Sequence, residues 1–368
     1  MKKILFISPL PPPNYGSAVS SKMCLEILRK DPLFEVHNIK INFAEEFSDI
    51  GKITFSKLWG VQRIKNEIKD YFKKETPDLV YIVPATYGLG LIREYLIVNQ
   101  IKRFWNKKIV FHVRSRITES NKNNKMQRTF YKKIFPNQKI IVLDESLKKD
   151  FSWLTSKENI FVLPNAIKNE ISNEDAKKII KERKKRDRFN LLFLSNMEES
   201  KGWFKLLKAC KLLHEKKIDF KCNFVGSWPS KKEKLKFEKY VSSNNLINHV
   251  RYLGKKEAKE KIKIFEQSDI LVYPTELDTF GKVIIEAMMV GLPVIANGIA
   301  AIPTTVQDKK TGFILNENSP EEIAEKIIKL KDKNLRNKMG LEGRKRFLEY
   351  YEQESYAKKF TKLIKNLM

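Results

Sequence analysis

Tyr273-Pro274-Thr275-Glu276-Leu277-Asp278-Thr279-Phe280-Gly281-Lys282-Val283-Ile284-Ile285-Glu286-Ala287-Met288 is the most informative stretch of the chain. The apolar run at 270–274 before and into it reads as a short buried strand that stops at proline. A polar loop carrying Asp278 follows, and an apolar helical pattern starts near Gly281 and runs to 290. Strand, loop and helix in that order are one step of a parallel α/β sheet. The unpaired N–H groups of such a helix's first turn make an anion site, and a glycine there allows close approach. Glu286 lies about one and a half turns into the helix, inside an otherwise apolar run. An unpartnered carboxylate is costly in such a place, so a hydrogen-bonding partner such as a diol is expected for it.

The same plan extends in both directions. A continuous apolar run predicts a strand at 3–8, and apolar-rich stretches predict further strands at 35–41, 79–83, 108–113 and 140–143, and again at 189–194, 219–225, 249–253 and 293–296. Helical patterns at 18–28 and 202–214 and the capping box Ser319-Pro320-Glu321-Glu322 fall between or after them. Strands that are apolar throughout and alternate with helices imply parallel sheets covered on both faces. The fold class is therefore α/β, with two Rossmann-like domains and a cleft between them. The expected organisation is a first domain at 1–168, a charged linker or hinge at 169–188, a second domain at 189–345, and a C-terminal helix at 346–368 that can pack back on the first domain.

The 368 residues are enough for two domains, since single cores rarely grow past about 250–300 residues. There are 72 Lys+Arg against 44 Asp+Glu, a net charge of +28, yet 42% of residues are apolar and 11% aromatic, which excludes a disordered polyelectrolyte. Cys24, Cys210 and Cys222 lack metal-ligand spacing and fit small buried residues of a reducing compartment. Proline at 9 and 11–13 interrupts the start too early for a signal peptide, and no long apolar span occurs. The charge is uneven: 101–150 holds 14 basic and 4 acidic residues, whereas 251–300 holds 7 of each. The basic stretch interleaves Phe104, Trp105, Phe130, Tyr131 and Phe135, a composition suited to an anionic membrane surface or a nucleic acid. Lysine outnumbers arginine, which argues against base readout by bidentate arginine.

Asp278 and Glu286, with seven residues between them, followed by Ala287-Met288 and Gly291-Leu292-Pro293-Val294, resemble the paired-carboxylate signature of retaining family-4 glycosyltransferases of the GT-B fold (glycosyl transferases group 1). Three further stretches are similar to that family: 194–202 with Lys201-Gly202, Val162-Leu163-Pro164-Asn165, and Thr311-Gly312-Phe313. The resemblance implies transfer of a sugar, hexosyl or N-acetylhexosaminyl, from a nucleotide-sugar donor, with UDP favoured over GDP. The acceptor it implies is a glycan or lipid-linked glycan of bacterial surface polysaccharide synthesis. It implies a cytoplasmic protein resting on the inner face of the cell membrane through 101–150, with no metal or other cofactor. Carried over by position, Asp278 contacts the transferred sugar and Glu286 holds the ribose. The amides around Phe280, Gly281, Lys282 and Val283 meet sugar hydroxyls and diphosphate. Lys201 neutralises the diphosphate, and Gly16 and Ser17 offer backbone N–H groups. The chain departs from the family where Asp278 replaces a glutamate, with Glu276 as its substitute. It departs again where Asn196 replaces an arginine, for which Lys282 or Arg251 compensates. Arg114 aligns with a family histidine near the reacting sugar, and His112 lies two residues earlier on the same strand face.

Two readings outside this class compete. A nucleic-acid-binding protein driven by the net charge is opposed by the neutral 251–300 segment. A nicotinamide-dependent oxidoreductase needs a Gly-x-Gly-x-x-Gly after the first strand, where the chain has Pro11-Pro12-Pro13-Asn14-Tyr15-Gly16. A non-catalytic member of the family is the third alternative.

Overall fold

A computed structural model describes residues 1–13, 15–41, 55–186 and 188–368. Asn14 of the proline-rich loop and Asp187 of the charged segment lie outside the described residues. Contacts divide the chain into one unit of Met1–Asn165 with Tyr356–Met368 and a second of Ala166–Ser355.

The first unit is a six-stranded parallel sheet of β1 (Lys2–Ser8), β2 (Phe34–Lys40), β3 (Leu79–Ile82), β4 (Val110–His112), β5 (Lys139–Val142) and β6 (Ile160–Val162), in the order β2-β1-β3-β4-β5-β6. Strands β3 and β4 are buried at every position, as expected where helices cover both faces. Strand β6 was not anticipated: Ile160-Phe161-Val162 is apolar but only three residues long, which leaves little period to read. The Gln353–Leu367 helix contributes Tyr356, Phe360 and Ile364, spaced four apart and buried, so one helical stripe closes the core. Phe360 lies 6.0 Å from the Tyr81 ring.

The second unit repeats the plan with β7 (Phe189–Leu194), β8 (Phe220–Val225), β9 (Val250–Tyr252), β10 (Ile270–Tyr273), β11 (Val294–Asn297) and β12 (Gly312–Leu315), in the order β12-β11-β10-β7-β8-β9. All neighbours are parallel. The chain starts at the centre with β7, builds outward to β9, then crosses back to β10. That makes β7 and β10 the topological switch point.

The 169–188 segment, expected as a linker, folds into the second unit. Ser172 caps the Asn173–Lys185 helix by accepting from the Asp175 N–H at 3.0 Å, with Glu174 and Asp175 in its first turn and three basic residues in its last. Its face is not wholly solvated: Ala176, Ile180 and Arg183 are buried. Arg183 donates to the carbonyls of Val290, Gly291 and Phe265 at 2.8–3.0 Å. Arg344 donates to Met289 O at 2.6 Å and Ile171 O at 2.8 Å. Two arginines thus satisfy the carbonyls that the Lys282–Met289 helix leaves open at its C-terminus and complement its dipole. No described helix is long and apolar enough to cross a membrane.

Candidate functional site

Ligands of open α/β sheets sit outside the carboxyl ends of the strands at the switch point. The segments leaving β7 and β10 are 195–202 and 274–281, the two that the sequence marks most strongly. Their approach depends on Gly202, which adopts φ +82°; a Cβ there would stand 2.2 Å from the Pro274 carbonyl oxygen. The loops are then tied together: Glu276 N–H donates to Ser200 O at 2.7 Å, and Thr275 Oγ1 donates to Ser200 O at 3.3 Å. Asn318 donates to Pro274 O at 3.2 Å and Asn297 to Thr275 O at 2.9 Å, bracing the other side.

Lys201 ends a short turn at Glu199–Lys201 and reaches across to the second loop. Its Nζ donates to Leu277 O at 2.6 Å and lies 3.3 Å from Asp278 Oδ2. Asp278 Oδ2 also accepts from the Tyr273 hydroxyl, while Oδ1 accepts from the N–H groups of Thr279 (2.6 Å), Phe280 (3.2 Å) and Gly281 (3.1 Å). Burial alone would raise the Asp278 pKa, but Lys201, the Tyr273 hydroxyl and the amides of Phe280 and Thr279 outweigh it and hold the carboxyl below its ordinary value. This carboxylate is ionised and fully engaged by protein. The bonds of Asp278 and of the Phe280 and Gly281 amides run within this loop and to Lys201 and Tyr273, and their contact with a sugar is the expectation drawn from the resemblance. The loop bonds follow from length: an aspartate side chain reaches its own following amides, where a glutamate extends past them. Glu276, the alternative carboxylate, is half exposed and pairs with Lys205 at 2.5 Å.

Glu286 points from the Lys282–Met289 helix toward the Ala258–Gln267 helix, where the Lys261 ammonium lies 2.6 Å from its carboxylate. The ammonium lies 2.6 Å from Oε1 and from Oε2, so it pairs with both oxygens. A carboxylate has further lone pairs beyond one such partner, and these can accept from a hydroxyl pair. Asn196 is exposed after β7, Phe280 and Val283 are buried, and Lys282 is half-buried at the helix start. Arg251, named as a substitute for the missing arginine, lies on edge strand β9, two strands from β7, which Asn196 follows.

In the first unit Gly16 and Ser17 open the Gly16–Lys30 helix, whose N-cap Tyr15 supplies no side-chain cap and whose first turn holds no acid. His112 closes β4 and is fully buried. Its Nδ1 faces the Tyr81 hydroxyl and Arg114 Nη2, the latter at 3.4 Å. Burial first, and Arg114 next, hold the imidazole pKa well below its ordinary value, so this histidine is neutral. Arg114 donates to Asn165 Oδ1 and, at 3.2 Å, to Cys24 Sγ, which lies 3.1 Å from the Tyr356 hydroxyl. Tyr273, Lys261, Cys24 and Tyr356 were missed by sequence reasoning. Their roles come from cross-strand and helix contacts that no spacing in the chain encodes.

Two parallel six-stranded Rossmann-like units define the GT-B class, and solved structures of that class share the fold. A sucrose-phosphate synthase from Thermosynechococcus elongatus superposes with a TM-score of 0.76 at 18% identity, covering 100% of this chain and 99% of that one. HepE from Anabaena, solved with UDP and glucose, gives 0.71 at 15% identity over 99% and 100%. Residues 174–346 match the family described as Glycosyl transferases group 1. The capsular polysaccharide biosynthesis glycosyltransferase CapM of Staphylococcus aureus is 30% identical over 219 residues, 56% of this chain and 56% of that protein. The chain spans about half the length of the curated relatives it matches.

Proposed function

We propose that this chain is a retaining glycosyltransferase that moves a hexosyl or N-acetylhexosaminyl group from a UDP-sugar to a glycan or lipid-linked glycan in bacterial surface polysaccharide synthesis. The observation that carries the reading is the switch point of the second unit. There Lys201 and the start of the Lys282–Met289 helix share one strand edge, and Glu286 stands behind them, its mostly buried carboxylate held by Lys261. The family match and the polysaccharide context of CapM support the class of reaction.

The chemistry follows from charge. Cleaving the bond between the anomeric carbon and phosphate leaves negative charge on the nucleoside diphosphate. Lys201 and the first turn at Lys282 and Val283 are preorganised to stabilise it. The leaving phosphate takes the proton of the acceptor hydroxyl as that oxygen attacks the same face, so the reading requires no separate base and no metal. Glu286 accepts from the ribose hydroxyls and fixes the donor's register. Asp278 acts as a positioning residue: it aims Lys201 and orders the loop that leads into the helix. In the first unit the basic, aromatic 101–150 segment rests on an anionic membrane.

The test is transfer of labelled sugar from a panel of UDP- and GDP-sugars to lipid-linked acceptors held in anionic or zwitterionic vesicles, with and without EDTA. We expect product with a UDP-sugar, unchanged by EDTA and formed faster on anionic vesicles. No product and no nucleotide binding across the panel would contradict the reading.

A further inference from the structure

Arg114 stands just past the end of β4, and its partners in the structure are Asn165, Cys24, Tyr356 and the uncharged His112. Among the described residues no carboxylate pairs with it. A guanidinium enclosed on most sides without a carboxylate or phosphate is open to an oxyanion that completes it. The donor count points the same way. Arg114 Nε is buried with no acceptor, and His112 Nε2 is also buried with no partner. Further unmet polar groups line the neighbouring helix. Ser20 and Ser21 are buried on the Gly16–Lys30 helix, one turn before Cys24 on the face that carries it, and their hydroxyls have no partner. Arg114 itself retains part of its surface in solvent, so an incoming group can reach it.

Resting on the glycosyltransferase reading above, we propose that Arg114 is the recognition residue for an oxyanion, a phosphate or a carboxylate, carried by the acceptor and bound in the first unit at the carboxyl edge of its sheet. A guanidinium offers such a group two parallel N–H donors, a charge-assisted pairing that a neutral hydroxyl cannot match. The acceptor class is then an acidic glycan or a phosphate-bearing carrier, and an otherwise similar neutral acceptor is discriminated against.

The experiment is calorimetric titration of the full chain with glycerol 3-phosphate, succinate and glycerol, and separately with UDP, on wild type, Arg114→Gln and Asn165→Asp. Wild type should bind at least one of the two anions and not glycerol. Arg114→Gln should weaken that anion about tenfold or more while UDP affinity stays within about twofold. Asn165→Asp places a carboxylate against the guanidinium. It should raise thermal stability and also abolish anion binding, a loss that reports the charge and not a folding defect. Binding of neither anion by wild type, or equal binding in all three proteins, overturns the proposal. If UDP affinity falls with the Arg114 change, the oxyanion belongs to the donor and the acceptor assignment is overturned. If UDP fails to bind wild type while the anion still depends on Arg114, the glycosyltransferase reading fails and the oxyanion site remains.

Discussion

Replacing Lys201 by methionine is expected to lower kcat by about 10²–10³-fold with a much smaller change in KM, as for removal of one preorganised donor at a developing negative charge. Methionine keeps the length and apolar stem of lysine and removes only the ammonium. In the free protein that ammonium bonds Leu277 O at 2.6 Å and faces Asp278 at 3.3 Å, so both loops of the switch point hold it in place. Asp278 keeps the Tyr273 hydroxyl and three amides after the change, so the fold loses little. The effect therefore appears in turnover and not in stability. Steady-state kinetics alongside urea denaturation separate the two. A variant with wild-type kcat removes Lys201 from the reaction.

Gly202→Ala is expected to cost about 3 kcal/mol or more, against about 1–2 kcal/mol for the left-handed backbone alone. The difference is steric. The new Cβ falls 2.2 Å from the Pro274 oxygen and 2.7 Å from its carbonyl carbon, both backbone atoms that no rotamer can move. Relief requires separating the loops after β7 and β10, so turnover falls with stability. Gly254→Ala is the control. Its φ of +73° carries the same backbone strain, but the space around it is open. At about 2–4 °C per kcal/mol for units of this size, the Gly202 variant should melt several degrees below the Gly254 variant. Equal melting temperatures would show that the close approach of the loops is not required.

Much of this was legible in the sequence because the signals are local. Apolar runs stopping just before a proline marked β1 and β10, and the seven-residue spacing placed Asp278 and Glu286 on one loop–helix step. What was not legible depends on contacts between distant segments. Asp278 could be read as a carboxylate beside a ligand, but its engagement by Tyr273, Lys201 and its own amides needs the folded loop. Lys261 is one lysine among many until the Ala258–Gln267 helix is laid against Glu286. The 169–188 segment shows charge, which suggests solvent; only the structure shows Arg183 turned inward onto the carbonyls of Val290 and Gly291. Cys24 was read as a small apolar residue, and it sits instead between a guanidinium and a phenol.

The central claim is that the switch point of the second unit binds a nucleotide sugar and that Glu286 holds its ribose. Titration of UDP into wild type and Glu286→Gln measures this most directly. Glutamine retains the shape of the side chain and replaces one acceptor oxygen by a donor, so it mismatches a hydroxyl pair. The account predicts saturable binding by wild type and a loss of about tenfold or more in the variant, the scale of a lost charged hydrogen bond. Equal affinity in the two proteins, or no binding of UDP by wild type, would contradict it.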